Sequence, residues 1–260
     1  MKLRVFQVNA FATDAFAGNP ALVCPLDDWL DDALMQKIAT ESGLTCAFLV
    51  GGDGSYRLRW FAPKAEIAGV CGHGTLAAGF VAANELGDES KKLQFDVAVG
   101  ELRVEPRGDR FLLDLPALTP KPVPAPANVE RILGKIPDET IGALDFIAVF
   151  ATERDVREFE PNLDSLLELP LRAAVVTARG DDVDFVSRWF CPRHGEGEDI
   201  GFTGSAHCSL VPYWAAQFRK NRLKAHQISP RGATMDCELQ GDRVLLDCTA
   251  VKYMEGWLHL

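Results

Sequence analysis

No apolar run in these 260 residues is long enough to cross a bilayer, so no membrane-spanning role is expected. The opening Met1-Lys2-Leu3-Arg4-Val5-Phe6 lacks the long apolar stretch of a secretion signal and reads as a strand. Positive charge is in deficit. There are 27 Lys and Arg against 37 Asp and Glu, a net charge of −10, which argues against nucleic acid as a partner. An acidic small molecule stays compatible, because a local positive field can sit inside a negative protein. Cysteines in Cys-x-x-Cys spacing are missing. The seven thiols (24, 46, 71, 191, 208, 237, 248) are odd in number and scattered, so no disulfide framework is expected and a reducing cytoplasm is. No Gly-x-Gly-x-x-Gly follows a strand, so a dinucleotide has no support and no cofactor is expected. Cys191, His194, His207 and Cys208 match no established zinc spacing, and no metal is expected.

What the chain does have is a repeat. Arg59-Trp60-Phe61-Ala62-Pro63 returns as Arg188-Trp189-Phe190-Cys191-Pro192, 129 residues later. Each copy is followed by a glycine-rich turn and a small-residue, apolar stretch: Gly72-His73-Gly74-Thr75 in the first, Gly201-Phe202-Thr203-Gly204-Ser205 in the second. Two copies make a pair and not a solenoid. Residues 75–84 and 205–216 contain no charge, so each predicts a helix buried on every side. Alternating strands flank both. The expected class is α+β, with two similar half-domains, each a mostly antiparallel sheet rolled around a central buried helix. Five prolines between 116 and 126 suggest the linker, giving halves of 1–118 and 119–260, with the final strands free to pack back on the first half.

Other elements follow from periodicity. A helix is expected from about 29 to 42, capped by Asp27 or Asp28 and stopped by Gly43. Pro212, inside the second apolar helix, should kink it or mark a first turn.

A helix that begins at a glycine-rich turn directs unbonded N–H groups at what lies beyond its end, and its dipole reinforces them. Two such ends facing a shared cleft would favour a carboxylate-bearing substrate. Gly72, Gly74, Gly201 and Gly204 permit close backbone approach, and Thr75, Thr203 and Ser205 add hydroxyls.

Gly18-Asn19-Pro20-Ala21, Cys71-Gly72-His73-Gly74-Thr75-Leu76-Ala77, Phe185 through Phe190, Pro192, and Glu198-Asp199 through Cys208 together resemble the phenazine-biosynthesis PhzF-like family over nearly the whole chain. The resemblance implies the fold of diaminopimelate epimerase, a homodimer, and cofactor-independent isomerisation by proton transfer. It implies substrate contacts at Asn19, Gly72, Gly74, Thr75, Thr203, Gly204 and Ser205. His73 matches the family histidine, and histidine exchanges protons near neutrality. The family's acid/base glutamate falls at Thr45 or Cys46, neither of them a carboxylate, leaving Cys46 or the nearby Glu41 as replacements. The family aspartate falls at Ile200 without a gap and at Asp199 with a one-residue bulge; Asp199 is favoured. Cys71 matches the first catalytic thiol of diaminopimelate epimerase, where a helix start would lower its pKa. No cysteine stands at the matching place of the second turn, which speaks against a two-cysteine epimerase.

Overall fold

The computed structural model describes residues 1–194 and 197–260. The chain separates into two compact units, residues 1–115 with 246–260, and residues 116–245. The first holds strands β1 (Lys2–Ala10), β2 (Asn19–Leu26), β3 (Thr45–Gly52), β4 (Ser55–Phe61), β5 (Leu93–Val97), β6 (Gly100–Arg107) and β7 (Arg110–Pro116), with helices α1 (Asp32–Ser42) and α2 (Gly72–Asn84). The second holds β8 (Lys121–Pro122), β9 (Glu139–Gly142), β10 (Phe146–Val149), β11 (Ala174–Arg179), β12 (Phe185–Phe190), β13 (Arg222–Gln227) and β14 (Thr234–Gln240). Its helices are α3 (Val129–Leu133), α4 (Glu153–Arg157), α5 (Leu163–Leu166) and α6 (Gly204–Phe218). The division falls within β15 (Arg243–Cys248); β16 (Ala250–His259) belongs to the first unit and pairs antiparallel with β1.

The repeat is a repeat of strand order. From β2 to β6 successive pairings run parallel, antiparallel, parallel, antiparallel. From β10 to β14 they run the same way. Arg59 on β4 forms a two-pronged ion pair with Glu66 at 2.8 and 3.0 Å. Arg188 on β12 does the same with Glu198 at 2.6 and 2.9 Å. Each arginine also lies over the phenylalanine two residues on, Phe61 or Phe190.

Both charge-free segments are helices with most of their residues buried. In the first unit α2 touches β1, β2, β3, β5, β6 and β16. Close approach demands small residues: a Cβ on Gly79 would meet the Val104 side chain at 2.7 Å. In the second unit α6 lies against β13 and β14, while its Trp214 donates to Thr177 of β11 at 3.0 Å and stacks on Phe185 of β12. Among the described residues no helix is long and apolar enough to cross a membrane.

Two details differ from the sequence reading, and a third chooses between its alternatives. The cap of α1 is Asp31, whose carboxylate accepts from Ala33 N–H at 2.9 Å, so the helix starts at 32. Asp28 instead accepts from the adjacent Trp29 N–H. The proline-rich stretch is partly strand: β8 pairs with β9, an edge position that tolerates the donor proline lacks. Pro212 stands mid-helix in α6, past the first turn. Proline cannot bond the carbonyl four residues back, and Leu118 N–H, from the same proline-rich stretch, takes the Cys208 carbonyl at 2.8 Å.

Candidate active site

In the first unit, the sheet's two faces do different work. Met35, Ile38 and Ala39 of α1 pack with Leu22, Cys24, Cys46, Phe48 and Phe61 on one face. Trp60 and its cross-strand partner Ala47 point to the other, where the indole edge lies against the start of α2. By the same alternation Thr45 shares the α2 face, and so does Asn19, two residues before Ala21, the partner of Thr45.

The α2 face therefore gathers Asn19, Thr45, Trp60, Cys71, His73 and Thr75 at one end of the unit. Cys71 is the N-cap of the helix, and its side chain makes no capping hydrogen bond. Thr75 Oγ1 donates to the Cys71 carbonyl at 2.6 Å, and Cys71 Sγ lies 3.8 Å from His73 Nδ1. His73 is half-buried and sits second in the helix. The amides of Gly72 and Gly74 belong to the first turn, where no intrahelical acceptor exists.

Cys46 and Glu41 are not part of this group. Cys46 faces α1, with its Sγ 3.4 Å from Ser42 Oγ, and burial pushes its thiol up to about 11. Glu41 is exposed on α1, on the opposite side of the sheet from α2. Of the two positions considered for the family glutamate, Thr45 is the one on the α2 face.

Gly74 is a steric necessity. A Cβ there would lie 2.6 Å from Trp60 Cδ1 and 3.0 Å from Cys71 Sγ, and Trp60 is only 1% exposed. Gly74→Ala is expected to cost roughly 2 kcal/mol, an overpacking penalty that exceeds the helix-propensity gain of about 1 kcal/mol. Urea unfolding of this variant beside the wild type and Gly52→Ala, where a Cβ meets nothing within 4 Å, checks it; equal midpoints for all three would refute the clash.

In the second unit, α6 begins the same way. His207 N–H bonds to the Thr203 carbonyl, as Thr75 N–H bonds to that of Cys71, so Ser205 and His73 hold equivalent second positions. Thr203 Oγ1 donates to Asp199 Oδ2 at 2.5 Å and accepts from Gln227 Nε2 at 3.1 Å. Gln227 Oε1 accepts from Thr203 N–H at 2.8 Å. Asp199 also accepts from Gly201 N–H at 3.2 Å, and its own N–H reaches the Trp189 carbonyl at 3.0 Å. Asp199 thus stands half-buried at the turn, next in sequence to the Glu198 that Arg188 anchors, whereas Ile200 is exposed.

His207 lies one turn into the core. Its Nδ1–H donates to the Thr203 carbonyl at 2.8 Å, and its ring stacks on Phe202 at 3.9 Å. Burial lowers its pKa to about 4, against a smaller upward pull from that bond, and Nε2 has no partner. Burial pushes the neighbouring Cys208 thiol up to about 12. Both are packing residues. Among the described residues no cluster of His, Cys, Asp and Glu could hold a metal ion.

Sequence reasoning missed Asp145 and Arg172. Asp145, 3% exposed, accepts from Arg172 Nε at 2.8 Å and Nη2 at 2.9 Å, and from Trp189 Nε1 at 3.0 Å. Arg172 Nη2 also donates to Ser205 Oγ at 3.1 Å. The signal was one charge beside each of two apolar runs, at Leu144-Asp145-Phe146-Ile147 and Leu171-Arg172-Ala173-Ala174.

A model of the phenazine biosynthesis-like protein family matches residues 8–256. The chain is 46% identical over 261 residues to an uncharacterized isomerase of Pseudomonas aeruginosa, spanning 100% of both chains. It superposes with a TM-score of 0.92 on the crystal structure of a PhzF-family phenazine biosynthesis protein from Enterococcus faecalis, at 39% identity and 100% coverage of each. A probable proline racemase from Agrobacterium radiobacter shares the fold at 10% identity, with a TM-score of 0.64 over 99% of this chain and 92% of that one.

Proposed function

From the premise that this chain belongs to the phenazine biosynthesis-like family, we propose that it is a cofactor-independent isomerase or epimerase that moves a proton on a small carboxylate-bearing molecule. One observation carries the reading: His73 and Ser205 occupy matching second positions of two buried helices, each opening at a glycine turn. First-turn amides of Gly72 and Gly74, and of Gly204 and Ser205, suit an anionic group. His73 is the proton carrier. Cys71 Sγ, 3.8 Å away, is the group that exchanges with it. Asp199, held by Thr203, is the second acid/base.

The test is proton NMR in deuterated water, with a panel of cyclic carboxylates and amino acids. An isomerase washes deuterium into one carbon of its substrate. His73→Asn and Asp199→Asn are each expected to slow that exchange by about 10²–10⁴-fold, the usual worth of a positioned acid or base. Exchange unchanged in both variants would remove the assigned roles.

A second reading has its own observation. Thr45 on the α2 face is not a carboxylate, as a non-catalytic binding protein would allow. Such a protein shifts its ligand's resonances in the same experiment without exchanging any proton.

A further inference from the structure

The geometry points to Arg172 as a positioning residue that works through Ser205. This rests on the reading of the α6 turn as a substrate contact. Arg172 presents Nε and Nη2 to the two oxygens of Asp145, a parallel fork that fixes the guanidinium plane. That plane lies over Trp189, with 5.5 Å to the ring centroid, and Trp189 Nε1 itself donates to Asp145. Leu171, just before it, takes a left-handed φ of 72°, an unfavourable conformation for a leucine, and the Arg172 N–H is tied to the Leu144 carbonyl.

Nη2 carries two hydrogens. One goes to Asp145, and the other goes to Ser205 Oγ at 3.1 Å. A guanidinium only donates, so Ser205 Oγ is forced to accept there. Its own hydrogen must then point elsewhere. Ser205 is 7% exposed, and among the described residues its O–H has no acceptor. A hydroxyl donor with no internal acceptor, at the start of a buried helix, is suited to a carboxylate oxygen of a ligand. Without Arg172 the hydroxyl could rotate and present its lone pairs to that anion.

The first unit has no such device. The position equivalent to Ser205 is His73, and Trp60 Nε1, the counterpart of Trp189 Nε1, is buried without a partner. The Asp145 carboxylate and Arg172 guanidinium stand in the second unit.

Two measurements test the assignment. The first is a double-mutant cycle on the affinity for benzoate, read by NMR titration with Ser205→Ala, Arg172→Lys and both together. Lysine keeps a positive charge for Asp145 and lacks the fork. Each single change is expected to weaken benzoate about tenfold, the scale of one hydrogen bond to a charged group, and the pair no more than either alone. A pair that loses about a hundredfold shows Arg172 acting independently and overturns the assignment. Should Arg172→Lys fail to fold, the charge-free combination Asp145→Asn with Arg172→Gln takes its place. The second measurement is neutron diffraction of the deuterium-exchanged protein. The Ser205 deuteron is expected to point away from Arg172 and out of the α6 turn; a deuteron bonded to a protein acceptor overturns the assignment. If wild-type protein ignores benzoate, the proposed carboxylate contact falls, while the neutron map still decides the hydroxyl.

Discussion

Arg172→Ala is expected to destabilise the fold by about 3–5 kcal/mol, the cost of leaving one member of a buried ion pair without its partner. Asp145 is the member left behind. It is 3% exposed and would keep one donor, Trp189 Nε1, out of three. The loss should lower the melting temperature by roughly 10 °C in a chain of this size. Asp145→Asn combined with Arg172→Gln should recover most of it, because an amide pair can hydrogen-bond without a buried charge. Calorimetry of the wild type and the two variants distinguishes the outcomes. If Arg172→Ala alone melts with the wild type, the pair is not a support of the second unit.

The second large effect is acid sensitivity from His207. Its folded pKa, about 4, lies below the ordinary value near 6.5 because the ring is buried and Nε2 has no partner. Between those values the unfolded chain binds a proton that the folded chain refuses. Stability is therefore full above about pH 6.5 and declines as pH falls toward 4. At about 1.4 kcal/mol per unit the total is roughly 3 kcal/mol. Urea unfolding from pH 7 to pH 4 should show this slope in the wild type. His207→Gln, whose amide can still donate to the Thr203 carbonyl, should lose that part of it. Identical slopes would mean that His207 does not titrate with unfolding.

The fold was largely legible because its strongest features are local. Two charge-free helices can only be buried, and the recurring Arg-Trp-Phe run marks strands β4 and β12 in equivalent places. Strands β9, β13 and β16 carry little signal of their own in the sequence. Each is short, polar or exposed, and exists because a neighbour supplies the ladder: β10 for β9, β12 and β14 for β13, β1 for β16. Pairing of that kind leaves little mark on the sequence.

The candidate site was legible in part. The turn residues His73, Gly74, Thr203 and Ser205 stand at their helix starts because glycine and cap chemistry are written into consecutive positions. Cys46 and Thr45 could not be told apart by spacing. One residue of shift turns a side chain through the sheet, and only the pairing of Ala47 with Trp60 shows which face meets α2.

By itself the sequence determined two related halves, each with a buried helix opening at a glycine turn, since charge, periodicity and repetition are properties of neighbours along the chain. Tertiary structure decided which polar groups meet. Asp145, Arg172, Trp189 and Ser205 come from four separate stretches of the second unit, and only strand pairing brings them within hydrogen-bond reach. Hydrogen bonds act over about 3 Å, and a separation of 60 residues along a chain says nothing about such a distance until the sheet has formed.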